Sequence, residues 1–334
     1  MRPFEHLNVT STDDLLTALG EDWQTRLIAG GTDLLPLMKR RIIAPSRLVN
    51  VKTISELTRL DYSDEGGLVI GPLATLTEVE RLPAVRQRFR ILSEAISVAA
   101  SPQLRNMATM GGNLCQTSRC WYFRGQFLCW LKGGEKCYAA DGENQLHALF
   151  GGSPCRSAYP SDPPQALIAL GAQMTLCNRQ SSCRTMPVEQ FFKLPEEGRR
   201  RETIIRPDEA ITEIRVPVPP DGSRGAYLKA MSRETWAFPL VSVAVQGTWD
   251  GTMPREINIV MGGVAPIPWR ATQAEDLVRG KPLDGNLARE AGEAALADAK
   301  PLKRNGYKLE LIRTLVQRGL LIASSQKGKY NPTA

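Results

Sequence analysis

Four of the chain's seven cysteines stand in one segment, at Cys120, Cys129, Cys137 and Cys155. Thiolates bind metal ions and iron–sulfur clusters, and in a reducing compartment a cysteine-rich segment is typical of metal or redox chemistry. The spacings C-x8-C, x7-C and x17-C match neither the paired cysteines of zinc fingers nor the run of a bacterial ferredoxin. The residues alone favour an iron–sulfur cluster and leave a zinc ion or unliganded thiols open.

Two glycine pairs precede these cysteines, and both are flanked by small polar residues. Consecutive glycines let backbone N–H groups approach an anion, and a following helix adds the positive end of its dipole. The first pair is neither a Walker A loop nor a GxGxxG fingerprint. One such turn is ordinary, whereas two can clamp a dinucleotide. The residues concerned are Ala29, Gly30, Gly31, Thr32 and Asp33, followed by Thr109, Gly111, Gly112 and Asn113.

The composition argues against several other classes of function. There are only two histidines, His6 and His147, which weakens any Ser–His, Cys–His or HExxH hydrolase hypothesis. The net charge is +7, but Lys and Arg are scattered, so we expect a solvated basic surface or a docking face rather than a nucleic-acid site. No apolar run has the length of a membrane span, and the N-terminus lacks a secretory signal. We therefore expect a cytoplasmic protein.

The order of predicted elements indicates an α+β protein in two domains. The proline- and glycine-rich stretch Val216–Gly225 predicts the boundary between them. The predicted domains span residues 1–218 and 225–325, and a loose tail is predicted over 326–334. The segment TLCNRQSSCRT predicts a hairpin that brings Cys177 near Cys183. These two could pair, but a reducing compartment favours free thiols.

Three segments, IAGGTDLLPLMK, LRNMATMGGNLCQ and YPSDPPQALIALGA, resemble the FAD-binding subunits of the xanthine dehydrogenase family of molybdenum hydroxylases. The cysteines narrow the resemblance to the medium subunit of 4-hydroxybenzoyl-CoA reductase and the FAD subunit of periplasmic-type aldehyde oxidoreductases. Both carry a [4Fe–4S] cluster in an insertion at this place, which here is the loop over residues 115–158. The resemblance extends from Phe4 to Val316.

The resemblance implies a fold and a set of cofactor contacts. The first domain would be an FAD-binding domain of the vanillyl-alcohol-oxidase/MurB (PCMH) type, and the second a smaller α+β domain of the CO dehydrogenase flavoprotein type. Both glycine segments would bind the FAD pyrophosphate and nearby groups, Asp162 would hydrogen-bond the cofactor, and Lys229 would lie near the flavin. Cys115 would be a small buried side chain. The four ligands of the cluster would be Cys120, Cys129, Cys137 and Cys155.

The resemblance also implies an electron-transfer subunit. Its partners would be a large subunit with the molybdenum cofactor and the substrate, a small subunit with two [2Fe–2S] clusters, and an external carrier such as ferredoxin. The complex could form a dimer of heterotrimers. Reductase-like and aldehyde-oxidising types stay open, as does another hydroxylase of aromatic or heterocyclic substrates. A partner with a Tat signal would place the complex in the periplasm. A basic zinc-binding module without redox activity is the alternative from a different class.

The cysteine-rich loop carries further groups that could serve a cluster. Its cations would stabilise a reduced cluster or be ordinary surface charges. Its aromatic rings would shield the cluster or form a subunit interface. The cations are Arg119, Arg124, Lys132, Lys136 and Arg156, and the rings are those of Trp121, Tyr122, Phe123, Phe127 and Trp130.

Overall fold

The chain begins with a small parallel sheet. In the computed structural model, which describes residues 1–152 and 154–325, strands β1 (Glu5–Asn8), β2 (Thr25–Ile28) and β3 (Arg47–Asn50) pair in the order β1-β3-β2. Parallel strands need crossover connections, and helices α1 (Thr12–Ala18) and α2 (Leu34–Lys39) lie in them. The predicted succession of strand, glycine turn and helix is confirmed, since β2 leads through residues 29–33, here called the glycine turn, into α2.

The second sheet has five antiparallel strands in the order β4-β5-β8-β6-β7. They are β4 (Leu60–Ser63), β5 (Gly67–Ile70), β6 (Gln173–Asn178), β7 (Cys183–Pro187) and β8 (Glu209–Val216). The helices between β5 and β8 are α3 (Leu76–Arg81), α4 (Pro83–Arg88), α5 (Arg90–Ser97), α6 (Pro102–Arg105), α7 (Met110–Leu114), α8 (Trp121–Arg124), α9 (Pro163–Ala169) and α10 (Val188–Phe191). Phe89, Ile91 and Leu167 join the sheet in one buried core.

The hairpin of β6 and β7 is confirmed, but the expectation of free thiols in it is wrong. Cys177 and Cys183 occupy opposite positions of the ladder and form a disulfide. Their Cα atoms are 4.1 Å apart, because the hairpin register places the two residues directly across from each other. The hairpin register thus explains the disulfide, whereas the expectation of free thiols came only from the assumption of a reducing compartment.

The C-terminal unit, residues 223–325, starts after a connection without regular structure that follows Val216. Its antiparallel sheet has the order β12-β11-β10-β9. The elements are β9 (Ser223–Ala230), β10 (Val241–Asp250), β11 (Met253–Gly262), β12 (Trp269–Arg270), α11 (Thr272–Val278), α12 (Gly285–Ala294) and α13 (Lys308–Ser325). Helix α13 packs on the sheet at Gly319, where a Cβ would stand 2.9 Å from Val245. The predicted tail 326–334 lies outside the described residues.

The cysteine segment, residues 115–158, lies between α7 and α9 and contains little regular structure. Its described residues form only α8 and one 3₁₀ turn, Trp130–Lys132. Backbone bonds attach the segment to the C-terminal unit, since the N–H groups of Leu149 and Phe150 both donate to the Val264 carbonyl, at 2.7 and 3.1 Å. The segment is therefore held between the two parts of the chain.

Candidate flavin cleft and cysteine cavity

A cleft of about 450 Å³ opens beside the glycine turn and is also lined by Thr109, Gly112 and Asn113. The two predicted glycine segments therefore meet at one site. Gly30 makes the close approach possible, because a Cβ there would stand 1.8 Å from the Met107 carbonyl oxygen. Gly31 has φ +69°, a conformation that favours glycine.

The two glycines of the second pair have different roles. Thr109 caps α7 by accepting a hydrogen bond from the Gly112 N–H at 3.2 Å, and Asn113 accepts one from the Ser161 hydroxyl. Gly111 does not line the cleft; it is buried, and a Cβ there would stand 2.7 Å from Pro72. Gly111 is thus a packing residue, and Gly112 is the glycine of this pair that borders the cleft.

Asp33 fastens the glycine turn to the cysteine segment. Its carboxylate accepts hydrogen bonds from the Thr117 N–H at 3.1 Å and from Arg124 at 2.7 Å, and Arg119 forms an ion pair with it at 2.8 Å. Arg124 is buried, so it is not the surface charge that the sequence allowed. Asp33 therefore neutralises two of the cations that were expected to face a cluster.

Two arginines form a cationic end of the cleft that sequence reasoning did not assign to the site. Arg26 and Arg201 both line the cleft and lie over the ring of Trp23, at 4.5 and 3.3 Å from its centroid. Burial lowers the pKa of each guanidinium to about 10, and the described residues offer neither of them a carboxylate in an ion pair. Two half-buried cations that form no ion pair with a described carboxylate suit an anionic ligand. The residues are far apart in the chain, so no local pattern marked them.

Asp162 and Lys229, expected beside the cofactor, bind each other. The Lys229 ammonium lies 2.8 Å from the Asp162 carboxylate and also donates to the Val98 carbonyl at 2.9 Å. The Tyr227 hydroxyl donates to Asp162 at 2.8 Å. Burial raises the pKa of Asp162 against the opposing effect of Lys229. Neither residue lines the cleft, and the pair joins α9 to β9.

The four predicted cysteine ligands lie on the wall of one cavity. This cysteine cavity measures about 10 Å³, and its other wall residues are mostly apolar or aromatic. Cys129 and Cys155 are buried in a cluster with Phe123 and Trp130. Burial raises the pKa of Cys120 to about 11, so the thiol keeps its proton at neutral pH unless a bound cation displaces it.

Cys115 stands apart from the other cysteines of the segment. It is exposed and lines the cleft rather than the cysteine cavity. The expectation that it is a small buried side chain is therefore wrong. The cause is its position at the end of α7, one residue after the last buried leucine of that helix, where the chain turns toward the cleft.

The described residues of the cysteine cavity do not form a preassembled metal site. Within residues 1–152 and 154–325, no three side chains of His, Cys, Asp or Glu converge closely enough to hold a single metal ion. A tetrahedral zinc site holds its sulfurs about 2.3 Å from the ion. Neither such a site nor a larger cluster is preassembled among the described residues.

The cleft and the cysteine cavity share a wall. Phe123 and Leu131 line both of them. Leu37, Ile42 and Ile43 line the cleft and also pack in the apolar cluster that contains the cysteines. The two sites are thus separated by apolar side chains and not by solvent.

The chain matches two family models in succession. Residues 2–219 match the FAD binding domain in molybdopterin dehydrogenase. Residues 226–323 match the CO dehydrogenase flavoprotein C-terminal domain. In the described part of the chain, no helix is both long enough and apolar enough to span a membrane.

Curated proteins and solved structures are similar over nearly the whole chain. The aldehyde oxidoreductase FAD-binding subunit PaoB of Escherichia coli strain K12 is 34% identical over 305 residues, which cover 90% of this chain and 92% of that protein. The carbon monoxide dehydrogenase medium chain of Hydrogenophaga pseudoflava is 28% identical, with 92% and 91% covered. In a solved structure of carbon monoxide dehydrogenase from that organism, one chain superposes with a TM-score of 0.75 at 27% identity, covering 96% of this chain and 97% of that one.

Proposed function

Since the chain belongs to the FAD-binding subunits of the molybdopterin dehydrogenases, an oxidoreductase family, we propose that it relays electrons between a bound FAD and a [4Fe–4S] cluster. The observation that carries the proposal is the common wall of Phe123 and Leu131 between the cleft and the cysteine cavity. When bound, FAD exchanges electrons singly or in pairs and so couples a two-electron partner to one-electron clusters.

The cleft has the groups that a dinucleotide with a pyrophosphate needs. Backbone N–H groups at Gly31 and Thr32 would bind the phosphate oxygens, and the missing side chain of Gly112 would let the cofactor approach the start of α7. Arg26 and Arg201 would balance the negative charge. Asp162 and Lys229 would support the site indirectly, through the junction of α9 and β9. The arrangement accords with the FAD-binding domain type named above, the vanillyl-alcohol-oxidase/MurB type.

Cys120, Cys129, Cys137 and Cys155 would hold the cluster. Four thiolates are the usual donor set for [4Fe–4S], and the apolar wall would keep water away. A four-iron cluster needs more room than the cavity now offers, so the side chains would have to move apart. The scarcity of regular structure in the cysteine segment permits such an adjustment. A zinc ion in place of the cluster is the alternative that metal analysis would distinguish.

We further propose that the chain works in a heteromeric molybdenum hydroxylase with a [2Fe–2S] subunit and a molybdenum subunit that binds the substrate. The similarity to PaoB favours an aldehyde-oxidising complex over a 4-hydroxybenzoyl-CoA reductase-like one. An external one-electron carrier such as ferredoxin would exchange electrons with the complex. The Cys177–Cys183 disulfide favours an oxidising compartment, which export with a Tat-signal partner would provide.

Cofactor analysis tests the proposal. The complex is purified with its co-expressed partner subunits, and this chain is then separated under mild conditions for determination of FAD, iron, acid-labile sulfide and zinc. We expect one FAD and a four-iron, four-sulfide content, with an electron paramagnetic resonance signal of a reduced [4Fe–4S] cluster. FAD without iron, or zinc in place of iron, would overturn the cluster assignment. A complex that oxidises no aldehyde would overturn the substrate class alone.

A further inference from the structure

A buried histidine lies against one of the proposed cluster ligands. His147 is 2% exposed, and its Nε2 atom stands 3.1 Å from the Cys120 sulfur. A distance of this length between an imidazole nitrogen and a sulfur is that of a hydrogen bond. The other ring nitrogen, Nδ1, is buried without a hydrogen-bond partner in the described part of the chain. The hydrogen bond that the imidazole forms through Nε2 is therefore the one to the cysteine.

The ring is held by packing and by the backbone of its own residue. The indole of Trp121 meets it edge to face, with centroids 5.0 Å apart. The His147 carbonyl accepts hydrogen bonds from Asn305 and from Lys308, each at 3.1 Å. Both donors belong to the C-terminal unit and are fully buried. Their hydrogen bonds hold the backbone of His147 in place.

The direction of the hydrogen bond follows from the chemistry of a ligated cysteine. A cysteine that binds iron has lost its proton and can only accept hydrogen bonds. A neutral imidazole carries one N–H, and a hydrogen bond to a thiolate requires that this N–H is on Nε2. A proton on Nε2 therefore gives the ligated sulfur a hydrogen-bond donor at the observed distance of 3.1 Å.

We propose that His147 donates a hydrogen bond from Nε2 to the Cys120 thiolate and thereby raises the reduction potential of the cluster. Asn305 and Lys308 act as positioning residues for it. The inference rests on the cluster proposed above. Hydrogen bonds to the sulfurs of a cluster favour its more negative, reduced form. His147 would thus set the driving force for electron exchange with FAD without being a ligand itself.

The test compares two variants at the same position. His147→Phe keeps a ring against Trp121 but has no donor, whereas His147→Gln keeps an N–H of similar reach. Iron and sulfide are determined in the purified complex, and the midpoint potential of the [4Fe–4S] signal is measured by redox titration. We expect full iron content in both variants. In His147→Phe the ratio of reduced to oxidised cluster at a fixed potential should fall about tenfold, or about 59 mV for one electron, and His147→Gln should lie between it and the wild type.

A second measurement on the unmodified protein covers the case in which a variant fails to fold. The complex is labelled with ¹⁵N-histidine, and pulsed electron paramagnetic resonance on the reduced cluster should detect one weakly coupled nitrogen. Unchanged potentials in both variants, or no nitrogen coupling in the wild type, would overturn the role of His147. Iron loss in both variants together with strong nitrogen coupling would show that His147 is a ligand of the cluster. That result would also overturn its proposed role as a hydrogen-bond donor. A wild-type protein without any cluster signal would instead overturn the proposed function.

Discussion

The cleft and the cysteine cavity recognise their proposed ligands by different means. The cleft is lined by residues of two glycine segments, and two arginines that share the ring of Trp23 also line it. The cysteine cavity is small and is lined by side chains that come from four separated positions. A phosphate can be bound by any chain that exposes N–H groups in a turn, whereas a cluster requires particular side chains at particular places. Backbone recognition is therefore concentrated in short motifs, and thiolate recognition depends on the folding of a whole loop.

The largest effect that separates the two sites should come from removing one thiol. In Cys137→Ser we expect loss of the [4Fe–4S] signal with FAD content largely retained, because the glycine turn does not depend on that sulfur. Cys115→Ser is the matched control, since Cys115 lies outside the cysteine cavity, and it should keep the cluster. An intact cluster signal in Cys137→Ser would remove this residue from the ligand set.

Gly31→Val should have the opposite effect to Cys137→Ser, namely loss of FAD with the cluster retained. The residue has φ +69°, and a Cβ there would stand 3.0 Å from the Leu35 side chain, so the turn would be strained and the backbone withdrawn from the phosphate. FAD content should fall to a small fraction while iron content stays high. Gly285→Ala, where a Cβ meets no atom within 4 Å, provides the control. Normal flavin in Gly31→Val would contradict the assignment of the glycine turn.

The buried pair of Asp162 and Lys229 should affect stability rather than either site. Lys229→Met leaves a buried carboxylate without its partner, and breaking a buried pair costs about 3–5 kcal/mol. The double variant with Asp162→Asn should recover part of that loss, since the amide can still accept the Tyr227 hydroxyl. Urea unfolding measures both. Loss of FAD from a Lys229→Met protein of unchanged stability would contradict this, and would show that Asp162 and Lys229 contribute to cofactor binding.

The smallest effect is expected from the cationic end of the cleft. Arg201→Met should weaken FAD binding by about tenfold, the value of one hydrogen bond to a charged group, and should reduce the dependence of binding on salt. Fluorescence titration of the flavin-free protein measures the affinity. Arg255→Met, which removes an exposed arginine paired with Asp250, should leave it unchanged. Equal affinities in both variants would show that Arg201 does not contact the cofactor.

The parts of the site that the sequence predicted are those defined by local chemistry. The glycine turn follows from the succession of strand, glycines and helix, and the common cavity of the four cysteines follows from their resemblance to a known insertion. The missed parts depend on contacts between distant segments. Arg201 fell under the general expectation of a solvated basic surface or docking face, because nothing near it in the chain indicates Trp23. Asp162 and Lys229 were each assigned to the cofactor, since a motif shows neither their burial nor their contact with each other.

Asp33 connects the two sites mechanically. It belongs to the glycine turn, yet its carboxylate binds the Thr117 N–H and the guanidinium groups of Arg119 and Arg124. A ligand that orders the turn would also order the start of the cysteine segment, and the reverse holds with equal free energy because such coupling is reciprocal. The maturation of the subunit would then be coupled, since the first cofactor to be inserted lowers the free-energy cost of inserting the second.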